Sequence, residues 1–386
     1  MSNFKQGYKQ TDIGVIPEDW GIAELGEISK YQGGSQPDIS FFSTRKYNGF
    51  IRLIQIRDYK TDKYTVYIPE GLARRKCNKD DIMIGRYGPP IFQILKGLEG
   101  AYNVALIKAM PNVTLDKSFY YHTLKREDLF QLIELLSRRS SGQTGVDLVG
   151  LKSFKIGLPP LNEQTAIATA LSDTDALIAA LDKKIAKKQQ IKQGTMQQLL
   201  TGKKRLSGFS GEWVEIVLGS VCEVKRGQMI VSSEFVKGPI PVIAGGMTPA
   251  GYHNLSNRNE NTITISASGA NAGFIGFHKS PIFASDCSTI NENENIDIRF
   301  IYYTLKLKQE EIYNSQTGGA QPHIHPKDIE PLILNFPIDK SEQTAIAQIL
   351  TDMDNEIAQL EKERDKYKEM KAGMMQELLT GKIRLI

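Results

Sequence analysis

The sequence predicts an α+β fold: two pseudo-twofold-related globular domains separated by two long antiparallel coiled-coil helices. Three observations lead there. Residues 163–206 and 342–385 align without a gap and are identical at 25 of 44 positions. Each copy carries a single apolar stripe at helical spacing. The segments that precede the copies share a skeleton of short strand-like runs although their sequences have drifted apart. A repeat distance of 179 residues far exceeds the ~20–50 residues of a solenoid unit, so this is a domain-sized duplication.

Taken in order, the expected boundaries are a globular domain at 1–150, a helical region at 151–206, a second globular domain at 207–325 and a second helical region at 326–386. In both globular segments, short β-branched and aromatic runs broken by Gly, Asn and Pro predict a mixed sheet with a few helices. Trp20 with Leu25-Gly26 matches Trp213 with Leu218-Gly219. Asp81 to Ile84 leading to Gly88 matches Thr262 to Ile265 leading to Gly269, and Tyr121-His122-Thr123-Leu124-Lys125 matches Tyr302-Tyr303-Thr304-Leu305-Lys306. Each helical region opens after a Pro-containing turn, Gly157 to Pro160 and Asn335 to Ile338.

The apolar positions of the helices are Ile167, Leu171, Ile178, Leu181 and Ile185, and Ile346, Leu350, Met353, Ile357 and Leu360. Their steps of three and four make a coiled-coil seam, with Thr174 filling one slot. Lys188 and Arg364 then stand where an apolar residue is expected. Gly194 and Gly373 are expected to interrupt the helices before each ends near its Thr-Gly pair. About 38 helical residues would span near 57 Å. A helix with one apolar stripe needs a partner, and the simplest is the other copy, in cis and antiparallel.

Hydrophobic content of 40% suits an ordinary globular protein, and no stretch reaches the length of a membrane span. The first residues lack the apolar core of a signal peptide. Cys77, Cys222 and Cys287 are an odd number at unrelated spacings, which indicates neither a disulfide framework nor a zinc site. A reducing, cytoplasmic setting is expected. Lys plus Arg against Asp plus Glu number 21 against 17 in residues 1–150, 10 against 4 in 151–206, 8 against 11 in 207–325, and 9 against 12 in 326–386. A basic helix facing an acidic twin favours their pairing. The acidic second globular segment is by itself a poor attractor for phosphate.

Motifs for catalysis are weak. Gly202-Lys203 and Gly381-Lys382 lack the earlier glycine and following hydroxyl residue of a phosphate-binding loop, and read as helix C-caps. Asn335 to Ile338 has the wrong order for an adenine-methyltransferase motif. Glu223-Val224-Lys225 lacks a partner acid for a nuclease and reads as a strand edge. His323-x-His325 has no third ligand nearby, so no metal site is expected.

The chain resembles the specificity subunits of type I restriction–modification systems (HsdS-like proteins) along nearly its whole length. The marks are Tyr8-Lys9-x-Thr11-x-Ile13-Gly14-x-Ile16-Pro17-x-x-Trp20, Gly208-Phe209-Ser210-Gly211-Glu212-Trp213, Leu158-Pro159-Pro160-Leu161-x-Glu163-Gln164, Gly318 to Ile324, and the two Leu-Leu-Thr-Gly-Lys endings. The resemblance implies that each variable domain is a target recognition domain reading one half of a split DNA sequence. The helices would act as a ruler and as a dock for two methyltransferase subunits, joined by restriction subunits. It further implies a non-catalytic chain with no cofactor of its own, S-adenosylmethionine, ATP and Mg belonging to partner subunits. Gln321-Pro322-His323-Ile324 occurs once, its place in the first half being taken by Ser141 to Val146, so the two domains need not touch DNA alike. A coiled coil is a stiff spacer, and half-sites about one turn apart lie near 34 Å. Domains of different sequence imply a non-palindromic target.

Residue types that reach bases and phosphates are Arg, Lys, amides and small hydroxyls beside aromatics. In the first domain these are Arg45, Lys46, Arg57, Arg86, Tyr87, Arg138, Arg139 and Gln143. In the second they are Arg226, Gln228, Ser266, Ser268, Asn271, Gln321 and His323. Each can equally be a solvated surface residue. Lys183, Lys184, Lys187 and Lys188 are assigned to the acidic twin helix or to a partner subunit. A coiled-coil adaptor whose globular ends bind proteins stays open as a second reading, and a complete modification enzyme as a third. The acidic second domain implies weak DNA binding alone and strong binding once methyltransferase subunits embrace the duplex.

Overall fold

The computed structural model describes residues 6–139, 145–318 and 321–385. It divides into two compact units, Met1–Ala180 with Arg364–Ile386, and Leu181–Glu363. Each unit therefore owns one globular domain, the first half of the helix that follows it and the second half of the other helix.

In the first unit a four-stranded sheet runs in the order Ser29–Gly33, Leu106–Pro111, Ile82–Gly85, Gln93–Leu95, all antiparallel. A second sheet places Tyr67–Pro69, Phe50–Ile54, Gly100–Tyr102 and Lys76–Cys77 side by side, with one parallel pairing. Helices Lys117–Leu124 and Glu127–Arg139 follow. The second unit repeats the plan. Val224–Arg226, Cys287–Ile290, Thr262–Ser266 and Ile275–His278 form the antiparallel sheet. Gly251–His253, Ile240–Ile243 and Phe283–Ala284 form the second sheet, again with one parallel pair. Helix Ile298–Leu307 takes the place of Lys117–Leu124. In both units an aspartate N-cap, Asp116 or Asp297, accepts from two backbone N–H groups of that helix. The mixed sheets and few helices expected of each half are found.

The long helices are Leu161–Leu199 and Lys340–Leu378, 39 residues each, or about 58 Å at 1.5 Å per residue. Gly194 and Gly373 do not interrupt them, contrary to expectation. A lone glycine costs only about 1 kcal/mol, too little to break a helix held along its apolar stripe. The ends fall where expected, before Gly202 and Gly381, whose φ of +70° and +74° reverse the chain as a C-terminal cap requires.

Within each unit the helix segments run antiparallel. In the first, Glu163 meets Arg384, Thr174 meets Met374 and Asp175 meets Lys371. In the second, Glu342 meets Arg205, Asp354 meets Lys192 and Glu356 meets Lys188. Two of these contacts are the same contact made twice, since Glu342–Arg205 repeats Glu163–Arg384 and Asp354–Lys192 repeats Asp175–Lys371. Ile167, Leu171, Leu181, Ile185, Ile346, Leu350, Ile357 and Leu360 are buried, while Ile178 and Met353 are half-buried. Thr174 is buried in its slot. Of the basic run, Lys188 pairs with Glu356 at 2.7 Å, whereas Lys183, Lys184 and Lys187 are exposed.

Both units close with the same clasp. Buried Glu342 accepts two hydrogen bonds of 2.7 Å from Arg205 and one of 3.2 Å from Trp213 Nε1. Buried Glu163 accepts from Arg384 at 2.7 and 3.1 Å and from Trp20 Nε1 at 3.0 Å, and Arg384 also reaches Asp19. Next along the chain, Gln164 Oε1 accepts from the Asp116 N–H and Gln343 Oε1 from the Asp297 N–H. Glutamine thus ties each long helix to the cap of its domain's helix.

Candidate nucleic-acid interface

At one end of each antiparallel sheet the backbone is arranged in the same way. In the second unit Ser266 pairs with Cys287, Arg226 with Ser288, and the Gly227 N–H donates to the Cys287 carbonyl. In the first unit Gly85 pairs with Leu106, and the Gly34 N–H donates to the Leu106 carbonyl. A Cβ on Gly34 would meet the Asn103 carbonyl oxygen at 2.0 Å, and one on Gly227 the Ser285 carbonyl oxygen at 2.2 Å. Only glycine fits there. The Arg86 N–H donates to the Ala105 carbonyl as the Ala267 N–H does to that of Asp286. Each strand then turns at a positive-φ glycine, Gly88 or Gly269. A later segment closes on the loop, through Val146 N–H to the Arg86 carbonyl and Ile324 N–H to the Ala267 carbonyl.

On this common frame the side chains differ. The first unit presents half-buried Arg86, its guanidinium 5.3 Å from the Tyr87 ring centre. Arg86 Nε is buried and, among the described residues, without an acceptor, an arrangement that favours a ligand oxygen. The second unit presents Ser268, Asn271, Gln321 and His323. Ser268 pairs with His323 as an isolated bridge and donates its hydroxyl to Asp286. The His323 ring stacks parallel on His325, centres 6.2 Å apart. Arg226 and Gln228 are exposed at the same sheet end. Ser266 is a correction. Its side chain is buried and its hydroxyl donates to the Gly245 carbonyl at 2.9 Å, so it supports the loop from below.

The remaining first-domain residues lie elsewhere. Arg45 and Lys46 are exposed in the loop before Phe50–Ile54. Exposed Arg57 stands 5.4 Å over the Tyr64 ring, which Lys63 also approaches at 5.5 Å. A concavity of about 630 Å³ brings Arg57, Lys63, Tyr64 and Tyr67 together with Thr44, the neighbour of Arg45. Exposed Tyr47 and Phe41 add rings in the segment before Phe50–Ile54. Basic groups interleaved with exposed rings suit phosphates and bases together. Arg138 is exposed and ion-paired to Glu134 at 3.0 Å. Gln143 lies outside the described residues, as does the side chain of Arg139.

Ser35 and Gln36, which follow Gly34 as Gln228 follows Gly227, were not singled out from the sequence. The signal was a glycine at a strand end followed by polar residues, visible only once the two strands are known to match. Glu223 and Lys225 form an ion pair of 2.9 Å on an edge strand, the bland reading. Among the described residues no group of three or more His, Cys, Asp or Glu could hold a metal ion, and no helix is long and apolar enough to cross a membrane.

The chain is 26% identical over 424 residues to the type I restriction enzyme MjaVIII specificity subunit of Methanocaldococcus jannaschii, covering 99% of this chain and 97% of that protein. It is 27% identical to the putative MjaX specificity subunit of the same organism, with the same coverage. The fold matches the crystal structure of a type I restriction-modification S subunit from M. genitalium with a TM-score of 0.66 at 18% identity, covering 93% of this chain and 96% of that one. The family model described as the type I restriction modification DNA specificity domain matches twice, at residues 17–193 and 210–368. Matched over most of its length by two copies of that domain, the chain belongs to the type I restriction–modification DNA specificity family.

Proposed function

We propose that this specificity subunit reads a bipartite, non-palindromic DNA target, one half-site for each globular domain. The helix pair sets the spacing between half-sites and docks two methyltransferase subunits, to which restriction subunits add. The chain itself performs no catalysis in this scheme. The observation that carries the reading is the shared frame around Gly88 and Gly269, which keeps its backbone hydrogen bonds while its side chains diverge. Arg86 with Tyr87 in one loop, and Asn271, Gln321 and His323 in the other, offer different donors and acceptors to base edges. A retained frame with changed side chains suits two readers of unlike sequences.

Methylation mapping tests this. The chain is expressed with its methyltransferase subunit in a host lacking modification, and the genome is sequenced for methylated adenines. A split motif that depends on this chain is expected, and exchanging residues 1–150 for those of another specificity subunit should rewrite one half of it. A stable complex without new methylation would favour the adaptor reading. Arg86→Ala is expected to relax or abolish one half-site and leave the other unchanged in the same maps.

A further inference from the structure

The first unit holds a cationic pocket separate from the loops above. It has a volume of about 520 Å³, and Lys79, Asp80, Lys96, Lys117 and Tyr121 stand on its wall. Lys96 Nζ lies 4.2 Å from the centre of the Tyr121 ring. Lys125 Nζ lies 4.6 Å from the same centre and donates to Tyr121 Oη at 3.0 Å. Two ammonium groups thus crowd one ring, and among the described residues neither has a carboxylate within ion-pair distance. Asp81 is already held by Lys108 at 2.5 Å and Lys117 at 3.2 Å. Unpaired like charges gathered in one place raise the local positive potential, which an anion in the pocket would offset. Buried His122 senses the same field: burial holds its pKa down to about 4, with Lys371, Lys125 and Lys96 pushing the same way against Asp175.

The second unit lacks this site. Tyr302 and Lys306 match Tyr121 and Lys125, but strand pairing sets Phe277 at the position of Lys96. Phe277 packs on the Tyr302 ring at 5.3 Å. Glu260 and Ile298 fall at the positions of Lys79 and Lys117. A protein partner that engages both units alike would need the lysines twice. A DNA duplex, which the two domains contact through unlike residues, would not.

We propose that this pocket binds a backbone phosphate of the duplex, an inference that rests on the chain's role as a DNA reader. Lys96 and Lys79 supply compact charges to the phosphodiester oxygens from the pocket wall, and Lys125 adds its charge from beside the Tyr121 ring. Such an interaction holds the domain on DNA and carries no sequence information.

The test uses the complex of this chain with its methyltransferase subunits, comparing wild type with a Lys96→Gln/Lys125→Gln double variant. DNA affinity is measured against salt concentration, and the methylated motif is mapped. The expected result is weaker binding on every sequence and an unchanged motif, with a log–log salt slope that is shallower by roughly 0.9 per phosphate no longer neutralised. Lys96→Arg/Lys125→Arg should restore the slope. An unchanged slope and affinity would overturn the proposal, as would failure of the double variant to retain its methyltransferase subunits. If wild type directs no methylation, the reading of the chain as a DNA reader fails instead, whatever the slopes show.

Discussion

The clasp shows most plainly how single residues hold this protein. Glu163 and Glu342 are buried carboxylates, and removing the cation of a buried pair leaves a charge that water cannot reach. Arg205→Ala should therefore destabilise the second unit by about 3 kcal/mol, and Arg384→Ala should do likewise in the first, with thermal unfolding as the measurement. The two losses should add in the double variant, because the residues share no partner. His122 predicts a pH dependence. Burial disfavours its charged form and lowers its folded pKa to about 4 from an ordinary 6.5. Its imidazole accepts or donates at Nε2 to Ser172 Oγ at 3.1 Å. The unfolded chain takes up the proton first, so stability is full above pH 6.5 and falls as pH drops from about 6.5 towards about 4. His122→Gln should flatten that loss in urea titrations at pH 7.5 and 5. Little of this was legible beforehand. A glutamate in the first turn of a helix reads as solvated, although both repeats paired Glu-Gln openings, Arg-Leu endings and a lone Trp nearby.

At the scale of elements, the seam positions from Ile167 to Ile185 were legible because a step of three or four admits no other regular structure. The glycines were not. Nothing in the sequence says that the space around Gly194 and Gly373 is open, yet a Cβ at either would meet no atom within 4 Å. Gly194→Ala and Gly373→Ala should each raise stability by about 0.5–1 kcal/mol, read as a higher Tm. A fall in Tm would mean that these points must bend. Ser266 was misjudged because Thr262–Ser266 is buried on both faces, so alternation cannot tell an inward hydroxyl from an outward one. The ion pairs Asp175–Lys371 and Asp354–Lys192 act as register keys between apolar stripes that would otherwise tolerate a shift of one turn. Reversing Lys192 to Asp should lower the melting temperature, and adding Asp354→Lys should recover part of it.

For the whole molecule, duplication was the most legible property, and the clasp made twice is its structural counterpart. The second sheet of each domain was less visible. Its parallel strand pairs, Phe50–Ile54 with Gly100–Tyr102 and Ile240–Ile243 with Phe283–Ala284, join residues 48 and 41 apart with no local turn signal. The comparison of units also isolates what has diverged. Sheet order, caps and clasp are kept, while loop side chains and the lysines around Tyr121 are not.

The division into units also sets an order of completion. Leu181–Glu363 is one unbroken stretch, whereas the other unit joins Met1–Ala180 to Arg364–Ile386. A chain emerging from the ribosome normally finishes its N-terminal domain first. Here Leu25 and Ile167 share a core with Leu378 and Leu379, and Trp20 and Glu163 await Arg384. The domain synthesised first therefore stands open, its apolar stripe uncovered, until Arg364–Ile386 arrives. The domain synthesised second needs nothing that has not already been made.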